Sequence, residues 1–318
     1  MRTHGTRGSR TTVACARVLV VAIAALTLAA CGGTSTTTTQ SERASPSAAP
    51  TSSAAVMSTY TALGAKLTDP GTLARFMRLY ADDATLTDRA FGGVYHGAAA
   101  ISGYFLQFLG PGGVYTYRPV CWRAGTEGAI AEEIVASSEM RLPSLEVLRL
   151  RGGKVVQTDV YYLDAYFGRP PVPLATAPGP SDTEAASLRT AGAYWAALRR
   201  LDPAALGRLY TDATVYRDVA SARQYKGATA TAAAHARVFA MHGVAYSGGE
   251  VVAGPGWAAV LWARTDREGG KPHTQVSIPA EWTKRAGRPT IDGATVLEIR
   301  GGKIVRETVY CDHLRTKL

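Results

Sequence analysis

Residues 80–97 return almost in register at residues 210–227, which commits most of this chain to two copies of one domain. Tyr80, Asp82, Asp88, Tyr95 and Gly97 recur 130 positions later as Tyr210, Asp212, Asp218, Tyr225 and Gly227. Gly113 and Gly243 keep that offset. A second block is displaced by 149. Leu148, Arg151, Gly152, Gly153, Lys154, Val156, Val160 and Tyr161 recur there as Leu297, Arg300, Gly301, Gly302, Lys303, Val305, Val309 and Tyr310. Solenoid repeats run at roughly 20–50 residues, so a period this long is a duplicated domain.

The N-terminus has a different character. Arg2, Arg7, Arg10 and Arg17 precede an apolar run from Val18 to Ala30, broken only by Thr27, and the run ends Leu28-Ala29-Ala30-Cys31. It falls short of the ~20 apolar residues that span a bilayer and suits a signal-peptide core. Small residues ahead of a cysteine resemble a bacterial lipoprotein signal. The resemblance implies lipidation at Cys31, a membrane anchor and an extracytoplasmic location. Residues 32–54, rich in Ser, Thr, Ala and Pro, read as a flexible tether. Without the four leading arginines the formal charge of +10 falls to +6. Lys and Arg are scattered, which argues against a nucleic-acid partner. Cys121 and Cys311 lie one in each copy: in an exported protein they form either a disulfide stapling the copies or two separate buried thiols.

Five prolines between Phe167 and Pro180 mark a linker over 168–180. The expected organisation is a signal peptide over 1–31, the tether over 32–54, a first domain over 55–167 and a second over 181–318. In the second, Ala191, Tyr194, Trp195, Leu198 and Leu201 share a helical face. Asp202-Pro203 starts another helix, with Asp as cap and Pro in the first turn, and Asp69-Pro70 is its counterpart. A short strand around 214–216 and a helix over about 228–241 follow. Strands are expected over 244–252, 257–264, 275–283, 294–300 and 303–310. Gly152-Gly153 and Gly301-Gly302 each sit between apolar runs as hairpin turns. Helices followed by a strand meander make each copy α+β.

This order resembles the NTF2-like superfamily, in particular SnoaL-like proteins and ketosteroid isomerases. The strings that carry the likeness are Tyr80-Ala81-Asp82-Asp83-Ala84-Thr85-Leu86-Thr87-Asp88 with Tyr95-His96-Gly97, and Tyr194-Trp195, Asp202, Leu209-Tyr210-Thr211-Asp212-Ala213-Thr214 and Asp218 with Tyr225-Lys226-Gly227. It implies two cone-shaped domains, each with N-terminal helices packed on a curved antiparallel sheet. It also implies a general-base aspartate at Asp88 and Asp218, an oxyanion-donor tyrosine at Tyr194, and in the first copy at Tyr60 or Thr61. The second oxyanion acid maps to Glu146, whereas the second copy has Thr295 there. Arg89 and Val219 replace the proline that commonly follows the base, and Arg89 is placed to pair with Asp88 and lower its pKa.

Asp82 and Asp212 read as turn residues after a helix. Tyr161, Tyr162, Tyr310 and Trp262 are expected to line a ligand pocket, with Trp257 and Trp282 adding aromatic surface. His96, His235, His242, His273 and His313 lack metal-ligand spacing, and no cofactor fingerprint is present. The expected partners are the membrane, a small hydrophobic ligand, and the second copy as an intramolecular pseudo-dimer or another chain as a homodimer. Because neither copy shows the full catalytic set, the favoured reading is non-catalytic capture of a small apolar ligand or an envelope partner. The alternative is an acid–base isomerase, cyclase or hydratase with Asp218 as base.

Overall fold

The computed structural model describes residues 52–69, 71–89, 92–109, 115–137, 141–162, 182–219, 223–265 and 290–311. The expected signal peptide, Cys31, the tether, the 168–180 linker, the strand over 275–283, Trp282, His273 and His313 lie outside the described residues, and so does the side chain of Tyr162.

The first copy runs α1 (Ser53–Gly64), α2 (Thr72–Met77), β1 (Tyr80–Asp88), β2 (Val94–His96), α3 (Gly97–Leu109), β3 (Thr116–Ala124), β4 (Gly128–Ala136), β5 (Arg141–Arg151) and β6 (Lys154–Tyr162). The second repeats that order as α4 (Glu184–Arg199), α5 (Pro203–Leu209), β7 (Tyr210–Asp218), β8 (Arg223–Lys226), α6 (Ala228–Phe239), β9 (Ala245–Gly254), β10 (Trp257–Thr265), β11 (Thr290–Arg300) and β12 (Lys303–Cys311). Two six-stranded sheets result, in the orders β2-β1-β6-β5-β4-β3 and β8-β7-β12-β11-β10-β9.

Most local signals have visible causes. Asp202 caps α5 by accepting the Ala205 amide at 2.8 Å, with Pro203 in the first turn. Asp69 does not do this for α2, whose N-cap is Gly71 in a left-handed conformation. Both glycines of Gly152-Gly153 and of Gly301-Gly302 have positive φ, as a two-residue type I′ hairpin requires.

Two expectations about strands need correction. The meanders β3–β6 and β9–β12 are antiparallel, but β1 runs parallel to β6 and β7 parallel to β12, so each sheet is mixed. The intervening hairpin, helix and meander provide the long crossover that parallel pairing needs. Asp82 and Asp212 are not turn residues after a helix. They lie exposed in β1 and β7, in stretches where the register to β6 and β12 shifts.

Both copies lie in one compact unit, Ala48–Leu318. The first copy has its own core around Tyr60, Phe76, Leu86, Ile101 and Phe105. Ile130, Leu145, Val147 and Tyr161 of the first copy instead belong to the core of the second. Side chains alternate along a strand, so β4 and β5 send one face into their own cone and the other to the neighbouring copy. Each buried aliphatic side chain contributes roughly 1.5–3 kcal/mol. At the centre of this boundary Arg123 pairs with Glu298 at 2.8 Å and approaches Glu132 at 3.5 Å, while Arg306 stands 3.7 Å from Glu298. Arg149 pairs with Glu250 nearer the edge. Cys121 and Cys311 are both thiols, not bonded to each other.

Candidate functional site in the second cone

Helix α4 carries Tyr194 on its buried face, and β12 carries Glu307, Val309 and Cys311 on the strand face turned into the same cone. The Tyr194 hydroxyl donates to Oε1 of Glu307 at 2.7 Å. Tyr210, at the start of β7, donates to Oε2 at 2.6 Å. His235 of α6 places Nε2 at 3.1 Å from both Oε1 of Glu307 and the Tyr210 hydroxyl. Its ring stacks on that of Tyr210 and meets Tyr216 edge-on. Four polar groups thus close on one another out of water. Burial first, then the Glu307 charge, holds the Tyr194 and Tyr210 phenols well above their ordinary pKa.

Beside this cluster lies a cavity of about 50 Å³, bordered by Tyr194, Tyr216, Asp218, Tyr246, Trp262 and Arg264 among others. Asp218, at the end of β7, is half-buried there. Two of the residues expected to act together, Tyr194 and Asp218, therefore share a wall. Trp262 borders the cavity, with its indole N–H donating to Thr295 at 2.9 Å.

The first cone is built on the same plan with different residues. Tyr60 of α1 donates to Oε2 of Glu146 at 2.7 Å, which identifies Tyr60 as the counterpart of Tyr194. Thr61 turns back to the carbonyls of Met57 and Ser58. Tyr80 contacts Tyr60 at 3.0 Å and Thr158 at 3.3 Å. The acid has changed strands between the copies. Glu146 and Thr158 of the first copy correspond, 149 residues on, to Thr295 and Glu307 of the second. Burial lifts Glu146 to about 7, against the opposing pull of the Tyr60 and Tyr117 hydrogen bonds. Asp88 is buried and accepts from Tyr104 at 3.1 Å.

Arg89 does not pair with Asp88. Its guanidinium takes Asp159, with Nη2 at 2.6 Å and Nε at 2.8 Å from Oδ1. Asp159 sits on β6 across from Val147 and faces away from the cone, on the same side as Tyr161. Two residues expected in a ligand pocket lie between the copies instead. Tyr310 donates to Glu132 of the first copy at 2.6 Å. Tyr161 borders a cleft of about 140 Å³ together with Arg89, Glu250 and Asp292. Strand alternation explains both placements, because their neighbours Val160 and Val309 take the inward positions.

Sequence reasoning missed Glu307, His235 and Glu133. The acids had a signal. Glu132-Glu133 interrupts the apolar run Ala129–Val135, whereas Glu307 stands between Arg306 and Thr308 in a strand with apolar ends, a weaker signal. A carboxylate inside an apolar strand has to find a buried partner. Among the described residues, no group of three or more His, Cys, Asp or Glu side chains is placed to hold a metal ion, and no helix is long and apolar enough to cross a membrane.

A family model described as a SnoaL-like domain matches residues 59–158 and again residues 191–307. No curated protein matches the chain. Among solved structures, an NTF2-like protein of unknown function from Mesorhizobium loti shares 14% identity at a TM-score of 0.34, covering 42% of this chain and 97% of its own. An NTF2-like protein from Burkholderia xenovorans shares 16% identity at a TM-score of 0.33, covering 42% and 95%. A hypothetical protein with a ketosteroid isomerase-like fold from Catenulispora acidiphila, solved in complex with trimethylamine, shares 16% identity at a TM-score of 0.30, covering 35% and 88%.

Proposed function

Because the chain belongs to the SnoaL-like domain family through both of its copies, we propose that it is a binding protein whose second cone captures a small ligand without turning it over. The observation that carries this reading is the commitment of Tyr194 to Glu307. An isomerase of this architecture needs a donor aimed at the place where an oxyanion forms. Here the Tyr194 and Tyr210 hydroxyls both point at a carboxylate in the wall. The free space beside Asp218, about 50 Å³, is far below the roughly 300–1,000 Å³ of a drug-sized pocket, which limits the ligand to a molecule of a few heavy atoms. Its aromatic walls, Tyr216, Tyr246 and Trp262, suit a small, largely apolar molecule. In this reading Cys31 carries the lipid that holds the protein at the outer face of the cytoplasmic membrane, and the two copies act as an intramolecular pair. Native mass spectrometry of the protein from its source envelope tests the capture. A retained small molecule that is lost in Trp262→Ala supports it, and conversion of an enone or ketosteroid substrate by the wild type overturns it.

The position of Asp218 favours a second reading. A half-buried carboxylate on an aromatic cavity is suited to general-base work, and acid–base isomerisation would use it with Tyr194 released from Glu307. That reading requires Asp218→Asn to abolish turnover while leaving the melting temperature unchanged.

A further inference from the structure

We propose that Glu133 and Glu146 form a proton-sharing carboxyl pair in the first cone, and that loss of the shared proton as pH rises loosens the first copy while leaving the second intact. Glu133 on β4 and Glu146 on β5 are both almost wholly buried, at 1% and 2% exposure. They occupy neighbouring strands two residues out of register, since Glu133 lies opposite Ser144 and Ala131 opposite Glu146. The Tyr117 hydroxyl of β3 donates to Oε2 of Glu146 at 3.5 Å and also acts on Glu133, whose buried Oε2 has no hydrogen-bond partner among the described residues.

The groups facing the pair come from every element around it: Tyr60 from α1, Tyr80 from β1, Tyr117 from β3, Ser144 from β5 and Thr158 from β6. Helices α2 and α3 contribute Phe76 and Phe105. Among the described residues, none of the groups acting on either carboxyl is a cation. Two features of the same molecule sharpen the contrast. Glu132, the adjacent residue, points the other way and has Arg123 beside it. Glu307, the acid of the second cone, has His235, and the residue 130 positions earlier is Phe105. Around its central carboxyl the first cone therefore has a second acid where the second cone has a histidine, Asp88 and Asp218 standing at the ends of β1 and β7 in the two copies. Two buried carboxylates on neighbouring strands, with no counter-charge among the described residues, resist ionising together.

The direction of the pH effect follows. Burial raises Glu146 to about 7, and burial together with Glu146 raises Glu133 well above the ordinary carboxyl value. Between the unfolded value near 4.5 and the folded value, the folded state holds a proton that the unfolded state has released. Stability is therefore full on the acid side and falls as pH rises through this window, roughly tenfold in the folding equilibrium per pH unit for each proton retained. This is opposite to ordinary acid denaturation.

Peptide-resolved hydrogen–deuterium exchange of the full chain at pH 6 and pH 8.5, corrected for intrinsic exchange, tests the proposal. Protection in residues 128–136 and 141–162 should fall at least tenfold while that in residues 290–311 holds; Glu133→Gln should reduce the difference and the double variant Glu133→Gln/Glu146→Gln should abolish it. Unchanged protection in the wild type overturns the proposal. So does a loss spread equally over both copies, or one that persists undiminished in Glu133→Gln/Glu146→Gln. Should that variant fail to fold, infrared spectroscopy of the wild type decides. A protonated-carboxyl stretch at pH 6.5 that disappears in step with protection supports the pair, and absence of the band at pH 6.5 overturns it.

Discussion

The hydroxyl of Tyr310, in the last described strand of the second copy, donates to Oε1 of Glu132 in the first copy at 2.6 Å. The contact joins two strands 178 residues apart in the chain and sits within the buried ionic group of Arg123, Glu298 and Arg306. Burial pushes the Glu132 carboxyl upward, while Arg123 and the Tyr310 hydrogen bond pull it back. The boundary between the copies is therefore held by polar specificity inside an apolar surround. Buried ion pairs of this kind add little net stability but are costly to break from one side.

Removing that donor should be felt. Tyr310→Phe leaves a buried carboxylate short of a partner and is expected to destabilise the protein by about 1–3 kcal/mol. Urea denaturation measures the effect. A double-mutant cycle with Glu132→Gln should show coupling between the two sites.

Close backbone approach makes a second prediction. A Cβ at Gly125 would stand 1.9 Å from the Ala253 carbonyl oxygen of the other copy. Gly125→Ala must push the copies apart and should cost about 1–3 kcal/mol or more. Gly103 is the matched control, being exposed on α3 with nothing within 4 Å of an added Cβ. Gly103→Ala should stabilise by about 0.5–1 kcal/mol. Melting temperatures of the two variants should move in opposite directions.

Glu307 accepts from Tyr194 and Tyr210 and has Nε2 of His235 3.1 Å from Oε1. Glu307→Ala strands three buried polar groups and should destabilise the protein by about 3 kcal/mol or more, whereas Glu307→Gln keeps an acceptor oxygen and should cost less. Chemical denaturation of both variants checks the order. An equal loss in the two would mean that the carboxylate charge, which both variants remove, matters at this position rather than side-chain volume or a single acceptor oxygen.

The thiols give a pH-dependent readout. Burial raises Cys121 to about 11, partly offset by Arg123. At pH 8 only about one molecule in a thousand carries the thiolate, so alkylation should run roughly a hundredfold slower than at an ordinary cysteine. Rates in the native protein should climb with pH up to about 11. Non-reducing mass analysis should find Cys121 and Cys311 unlinked.

Much of the architecture could be read directly from the chain. Asp202-Pro203 and the paired glycines act through local backbone geometry, so they had the same meaning in the sequence as in the fold. Asp69 failed that test because its neighbour Gly71 takes the cap position at a φ that favours glycine. The candidate site was only partly legible. Tyr194 and Asp218 were singled out from spacing and resemblance, and the fold sets both on the wall of one cavity. Arg89 was assigned to its chain neighbour Asp88, yet it takes Asp159, 70 residues away.

By itself, the sequence determined the duplication, the α+β order of each copy and the hairpin positions. These depend on periodicity, caps and turn residues, all of which are local. Only the tertiary structure decided which buried acid meets which partner. Glu132 and Glu133 are adjacent and chemically identical, yet one answers Tyr310 of the other copy and the other faces Tyr117 in its own cone. Strand alternation sends neighbours to opposite faces. What waits at each face is set by segments distant in the chain, and local sequence carries no record of that distance.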